Sequence, residues 1–101
     1  MTVDVLNGTS ITGLASTTLT RLTALGYKQG TYADAAAQTY TATVVEYLPG
    51  HRADALAVAK ALKLKPSAVQ PIDSTTQTVA CPQSPCNANV VVTAGADLAS
   101  Q

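Results

Sequence analysis

The apolar residues between positions 11 and 25 recur at helical spacing, and this pattern constrains the fold more than any other feature. A period of about 3.6 residues per turn places them on one helix face. The residues are Ile11, Leu14, Ala15, Leu19, Leu22 and Leu25. Gly26 follows directly, where a glycine commonly ends a helix. The apolar run of Val3, Val5 and Leu6 before this helix predicts a strand, so the chain opens with a strand and a helix.

The same alternation continues along the chain. Residues 27–32 and 41–48 are predicted strands, the second because TATVVEYL is rich in β-branched residues. A second helix is predicted over 51–62, followed by a short extended piece near Val69 and a long polar loop over 73–89. The inner face of that helix is predicted to carry Ala55, Leu56, Ala59 and Leu62. The last strand, 89–93, reads NVVVT, and its consecutive valines favour burial on both faces and pairing on both sides.

This order of elements, βαββαβ, predicts an α+β fold with two layers. The expected arrangement is the ferredoxin-like one, with two helices on one face of a four-stranded sheet. A chain of 101 residues suits one small domain, so we expect residues 1–101 to form a single unit.

Charge and composition exclude several classes of function. Six basic residues balance six acidic ones, and there are four Tyr but no Phe or Trp. Neither the charge nor the aromatic stacking that nucleic-acid binding uses is available. No apolar run approaches the roughly 20 residues of a membrane span, and the N-terminus lacks the pattern of a signal peptide. If Met1 is an expression start, an anchor or signal would lie upstream.

The two cysteines lie close together in the segment CPQSPC, at Cys81 and Cys86. A closed zinc site needs four ligands, and His51 is remote from both thiols. The spacing is also too long for a C-x-x-C redox motif. A local disulfide is the favoured prediction, with two free thiols as the alternative, and such a bond persists in oxidising compartments. No metal or cofactor is expected.

The glycines of the first loop have the spacing of a phosphate-binding loop but not its chemistry. Gly8 and Gly13 match G-x-x-x-x-G, yet Leu14 and Ala15 stand where Lys and Ser or Thr are needed. Nucleotide binding is therefore not expected. Asn7-Gly8-Thr9 also fits the N-glycosylation pattern, but we interpret it as a turn.

No catalytic constellation emerges from the polar residues. An acylphosphatase would need an arginine in the first loop, whereas Arg21 lies deep in the first predicted helix and Arg52 opens the second. His51 has no evident Ser or Cys partner. The carboxylates are predicted to be solvated surface charges, since they occur singly; they are Asp4, Asp34, Glu46, Asp54, Asp73 and Asp97.

Five short motifs resemble those of one known family. They are L-N-G-T at 6–9, G-L-A at 13–15, L-G-Y at 25–27, V-E-Y-L-P-G at 45–50 and G-A-D at 95–97. In this combination nearly the whole chain is similar to the C-terminal domain of the LytR-CpsA-Psr family. The segment from Cys81 to Cys86 departs from the shortest family members.

The resemblance implies a non-catalytic domain of the cell envelope, outside the membrane. Such domains follow the catalytic domain of membrane-anchored enzymes that move glycopolymers from a lipid carrier onto peptidoglycan. They also occur alone behind one anchor, notably in actinobacteria. The family's catalytic arginines and aspartates belong to the other domain, so this chain is expected not to be an enzyme.

We therefore expect a module that binds a wall polymer, such as peptidoglycan or arabinogalactan, a lipid-linked precursor or an envelope protein. The backbone N–H groups of residues 7–9, near a helix N-terminus, are the first candidate ligand site, extended by the neighbouring turn at 47–50. The candidate residues are Asn7, Gly8, Thr9, Tyr47, Gly50 and Arg52. One alternative is an oligomerisation or regulatory module that uses an exposed sheet edge. A small acylphosphatase-like enzyme is the remote alternative.

Overall fold

The computed structural model describes residues 2–11, 13–34, 40–72 and 89–99. The strands are β1 (Thr2–Asn7), β2 (Lys28–Asp34), β3 (Val44–Tyr47), β4 (Val69–Pro71) and β5 (Val90–Ala94). The helices are α1 (Leu14–Ala24), α2 (Arg52–Ala61) and the short α3 (Ala96–Ala99). Each longer predicted element is present, although β3 and both long helices are shorter than predicted.

The five strands form one mixed sheet in the order β2-β1-β5-β3-β4. β1 runs parallel to both β2 and β5, whereas β3 runs antiparallel to β5 and parallel to β4. α1 connects β1 to β2, and α2 connects β3 to β4, so the sheet consists of two parallel βαβ units. The last strand, β5, lies between them.

The α+β class is confirmed, with both long helices contributing to one core against one face of the sheet. The predicted count of four strands is corrected to five, because the extended piece at Val69 pairs with Val45 of β3. The strand order also differs from a split βαβ arrangement, since β1 and β2 are direct neighbours. Either helix is long enough to cross over between adjacent parallel strands, so the order of elements alone left the pairing open.

The predicted inner face of α1 is buried in its middle and exposed at both ends. Leu14, Ala15, Leu19 and Leu22 are buried, but Ile11 is 42% exposed and Leu25 is 56% exposed. The reason is that α1 begins at Leu14 and ends at Ala24, so the two outer residues leave the helical face. In α2 the predicted Ala55, Ala59 and Leu62 are buried, but Leu56 is only half-buried, and Val58, which was not predicted for this face, is fully buried.

Strand β5 confirms the prediction of an interior strand. It pairs with β1 on one side and β3 on the other, and all five of its residues are buried. Val90 and Val92 face the helices together with Val3, Val5 and Val45. Since side chains alternate along a strand, Val91 and Thr93 face the opposite side of the sheet.

Both long helices end with the same pair of backbone hydrogen bonds. After α1, the N–H of Gly26 donates to Thr23 O and the N–H of Tyr27 donates to Leu22 O. After α2, the N–H of Lys63 donates to Lys60 O and the N–H of Leu64 donates to Ala59 O. Both are Schellman motifs, whose penultimate residue adopts a left-handed conformation. Gly26 takes it with φ 99°, and Lys63 takes it with φ 60°.

Candidate functional site

The side chain of Asn7 closes the loop after β1. Its Nδ2 donates to Ile11 O at 2.7 Å, and its Oδ1 accepts from the N–H of Thr9 at 2.9 Å and from Thr9 Oγ1 at 2.7 Å. Thr9 Oγ1 in turn accepts from the N–H of Ile11 at 3.1 Å. Asn7 and Thr9 are both buried. Their polar atoms therefore hold the loop in shape rather than face solvent.

Gly8 links this loop to two other segments. Its N–H donates to Ala94 O at 2.9 Å, and its carbonyl accepts from the N–H of Tyr40 at 3.0 Å. A Cβ at this position would lie 2.8 Å from Ala94 O and 2.8 Å from Tyr40 Cδ1, closer than such contacts normally are. Only glycine allows this approach. The N–H groups of Gly8 and Thr9, predicted to bind a ligand, thus already donate within the chain.

The second predicted segment, 47–52, forms the turn between β3 and α2. The N–H of His51 donates to Leu48 O at 3.0 Å, which closes a four-residue turn over Pro49 and Gly50. Gly50 has φ 88°, as expected for the third residue of a type II turn. Arg52 is the first residue of α2 and is exposed.

The two predicted segments do not form one site, and the expected extension from residues 7–9 to the turn at 47–50 is wrong. Asn7 pairs with Ala94 at one end of β5, whereas Tyr47 pairs with Val90 at the other. Four residues of strand separate these positions by about 13 Å. The cause is the antiparallel pairing of β3 with β5, which places the C-terminal ends of β1 and β3 at opposite ends of the sheet. We refer to these two ends of the sheet as the Asn7 end and the Thr2 end.

A chain of side-chain hydrogen bonds ties the Thr2 end together. Asn89 Oδ1 accepts from the N–H of Thr2 at 2.9 Å, so its amide Nδ2 points to His51 Nε2 at 3.3 Å. His51 Nδ1 lies 2.9 Å from Asp54 Oδ2. Because Nδ2 can only donate, Nε2 accepts, and Nδ1 carries the proton that it donates to Asp54. This network assigns His51 a structural role that joins α2 to the start of β5.

Two carboxylates contradict the prediction of solvated surface charges. Asp4 is only 5% exposed and Glu46 only 1%. Both pair with Val91 of β5, one from each side, on the face away from the long helices. A Cβ at Gly30 would approach Asp4 Oδ1 to 2.0 Å, so this carboxylate lies directly against the backbone of β2. Both carboxylates have interaction partners within the chain.

An open cavity of about 410 Å³ lies at the Asn7 end. The segment after α2 forms one wall, and the start of β3 with α3 forms the other. Its polar lining includes Thr43, Lys63, Lys65, Gln70 and Asp97. This volume falls within the range of about 300–1,000 Å³ that is usual for small-molecule sites.

The wall formed by Asp97 is held in place from β3. Asp97 Oδ1 accepts from the N–H of Thr43 at 3.0 Å and also from Thr43 Oγ1. The same hydroxyl accepts from the N–H of Gly95 at 3.0 Å, and Thr43 is 2% exposed. The two hydrogen bonds from the buried Thr43 thus fix the conformation of the Asp97 carboxylate.

This cavity was not predicted from the sequence, although two of its lysines lie in a recognisable pattern. Lys63 and Lys65 flank Leu64 just after a predicted helix, which is a common place for solvated lysines. The partner residues Thr43 and Asp97 are 54 positions apart, and no local pattern connects them. Their proximity follows only from the antiparallel pairing of β3 with β5.

Other predictions concern parts of the chain that the structure does not test. Cys81 and Cys86 lie outside the described residues, so their disulfide stays a prediction. No helix within the described ranges is long and apolar enough to span a bilayer.

Taken together, these features define a small α+β domain in which internal hydrogen bonds fix the loop of residues 7–11 and the turn of residues 48–51, and in which polar and apolar residues line an open cavity. The sequence model of the family described as LytR cell envelope-related transcriptional attenuator matches residues 1–98. The chain belongs to this family, which confirms the resemblance carried by its motifs, and it is a cell-envelope-associated domain. No curated protein and no solved structure matched the chain.

Proposed function

We propose that this chain is a single non-catalytic domain that acts outside the cytoplasmic membrane and binds a cell-wall polymer or an envelope protein. In this role it assists the attachment of wall glycopolymers or maintains the envelope. The observation that carries the proposal is the family match over residues 1–98. A membrane anchor in a longer parent protein would hold the domain near its target.

The use of the polar residues supports a binding module over an enzyme. Asn7 and Thr9 bond to each other, and His51 is engaged on both ring nitrogens by Asn89 and Asp54. A general base needs a free nitrogen within reach of the proton that it takes. A disulfide between Cys81 and Cys86, if formed, would suit an oxidising location.

The two predicted segments contribute differently to such binding. At the Thr2 end, Tyr47, Gly50 and Arg52 remain candidate contact residues, and the exposed Arg52 supplies a positive charge. At the Asn7 end, the loop of residues 7–9 supports the neighbouring structure and does not contact the ligand directly, because the N–H groups of Gly8 and Thr9 already donate hydrogen bonds within the chain.

The test is an amide-resolved NMR titration of the chain with soluble fragments of peptidoglycan and of arabinogalactan. The hydrodynamic size is measured at each protein concentration. Saturable shifts at one surface of a monomer are expected, and they would locate the site. A folded sample that shows no shift with either polymer would refute direct recognition of these polymers and direct attention to protein partners.

Self-association is the second candidate function, and one observation favours it. In the described sheet β2 is an edge strand, and its Tyr32 is 53% exposed. Exposed strand edges with apolar side chains pair with other chains. A concentration-dependent mass that Tyr32→Lys abolishes would support this function, whereas a monomer up to millimolar concentration would contradict it.

A further inference from the structure

The Schellman motif after α2 requires a left-handed residue at position 63, but the fold does not explain why that residue is a lysine. The equivalent position after α1 is Gly26, the residue that accepts a positive φ without strain. A lysine in the last turn of a helix is favoured by the helix dipole, and Lys60 already occupies such a place in α2. Strained residues that persist commonly serve a site. Here the strained residue lines the cavity at the Asn7 end.

The charges of this cavity are uneven. Lys63 and Lys65 are both exposed, and within the described residues neither forms an ion pair. Asp97 is the only carboxylate among the described lining residues, and Thr43 already donates two hydrogen bonds to one of its oxygens. The side chains of the two lysines thus leave a net positive charge at the mouth of the cavity.

The remaining lining has the mixture of groups that a sugar ring contacts. Gln70 and Ser67 offer hydrogen-bond donors and acceptors, while Val44, Leu64 and Ala68 offer apolar surface. A saccharide presents hydroxyls around its rim and C–H groups on its faces. The cavity therefore combines a site for an anion with a site for a polyhydroxyl ring.

We propose that this cavity binds an anionic saccharide, whose phosphate or carboxylate contacts the ammonium groups of Lys63 and Lys65 and whose ring contacts Leu64 and Gln70. The inference deepens the proposed function, on which it rests, by naming the class of ligand and the site. Lysine binds either anion as a compact point charge, so both sources of charge fit the same chemistry.

The experiment is an NMR titration at low salt with glucose 1-phosphate, glucuronate and glucose as separate probes. The two charged probes distinguish phosphate from carboxylate, and glucose is the neutral control. We expect saturable shifts around residues 63–70 with at least one charged probe and weaker ones with glucose. Raising the salt to 0.5 M should weaken the charged interaction, because exposed charges are then screened.

Three variants assign the binding to the cavity. Lys63→Gly removes one charge while keeping a residue that favours the backbone conformation, and Lys65→Gln removes the other. Lys28→Gln makes the same charge change at an exposed lysine of β2, at the Thr2 end. Each cavity variant should weaken binding of the charged probe by about tenfold, and the control should bind as the wild type does.

Several results would overturn the inference. They are equal binding of glucose and the charged probes, unchanged affinity in both cavity variants, and an absence of shifts with every probe. Since Lys63→Gly relieves strain, a loss of binding cannot be attributed to unfolding when its melting temperature is unchanged or higher.

A co-sedimentation assay with insoluble peptidoglycan separates this inference from the proposed function. If wild type and both cavity variants sediment equally, the domain binds the wall elsewhere and the cavity is excluded as its site. If glucose 1-phosphate binds but neither peptidoglycan nor arabinogalactan does, the cavity is confirmed as an anion site and the wall-binding function fails.

Discussion

The matching ends of α1 and α2 permit an exchange experiment within one chain. Gly26 and Lys63 occupy the same position of the same motif and both have positive φ. We predict that Lys63→Gly stabilises the protein and that Gly26→Lys destabilises it. The physical reason is the contact between Cβ and the following carbonyl oxygen in a left-handed L-residue.

The magnitude follows from two opposing effects. The left-handed conformation costs an L-residue about 1–2 kcal/mol, while glycine loses about 0.5–1 kcal/mol more conformational entropy on folding. The net gain for Lys63→Gly is therefore about 0.5–1 kcal/mol, which raises the melting temperature by about 2–8 °C. At Gly26 an added Cβ meets no atom within 4 Å, so the cost there is torsional and not steric.

The assay is thermal and urea denaturation of the wild type, both single variants and the double variant, followed by circular dichroism. Lys63→Ala is the matched control, because it removes the charge but retains the Cβ and should bring no gain. The double variant should melt near the wild-type temperature. A lower melting temperature for Lys63→Gly, or a gain equalled by Lys63→Ala, would refute the assignment of strain to this residue.

Three further predictions concern the two ends of the sheet. Asn7→Ala removes the hydrogen-bond acceptor and donor that close the loop of residues 7–11, and urea denaturation should show a free energy of unfolding lower by about 2 kcal/mol. A loss below about 0.5 kcal/mol, which is usual for surface substitutions, would contradict a structural role. Gly8→Ala should cost about 1–3 kcal/mol because its Cβ would overlap Ala94 O and the ring of Tyr40, and Gly13→Ala, where an added Cβ meets no atom within 4 Å, is the control for torsional strain alone. When the His51 ring is uncharged, long-range ¹⁵N–¹H NMR spectra should show its proton on Nδ1. A proton on Nε2 would show that the hydrogen bonds of His51 to Asn89 and Asp54 are assigned incorrectly.

Local patterns predicted the elements well because each element is dictated by its own residues. The spacing of Leu14, Leu19 and Leu22 fixes one helix face, and all three are buried. The three valines of β5 predicted an interior strand, and the strand is buried and paired on both sides. The errors at Ile11 and Leu25 are errors of helix boundaries, where side-chain periodicity carries the least information.

Strand direction could not be predicted in the same way, and the candidate site depended on it. The sequence VVEY does not indicate whether β3 pairs with β5 in a parallel or an antiparallel direction, because side chains alternate between the two faces in the same way in both cases. A parallel arrangement would have placed Tyr47 near Asn7. The observed antiparallel pairing separates them and instead brings Thr43 to Asp97, which creates the cavity.

The buried charges were missed because carboxylates that occur singly were expected to be solvated. Asp4 and Glu46 alternate with core valines, which predicts a solvent-facing side of the sheet for them. The structure buries both carboxylates on that side too, and each has an interaction partner within the chain. Similarly, no sequence rule assigns a left-handed conformation to Lys63, since glycine or asparagine is expected at that position.

The central position of β5 has a consequence for how the chain acquires its structure. Each βαβ unit is built from residues close in sequence, but in the described sheet the two units meet only through β5, which follows both of them in the sequence. Its pairing with β1 joins residues almost 90 positions apart, as Val3 with Val90. Long-range pairing of this kind slows folding towards the millisecond-to-second range. During synthesis both βαβ units emerge before the strand that joins them, so the sheet stays incomplete until residues 90–94 have left the ribosome.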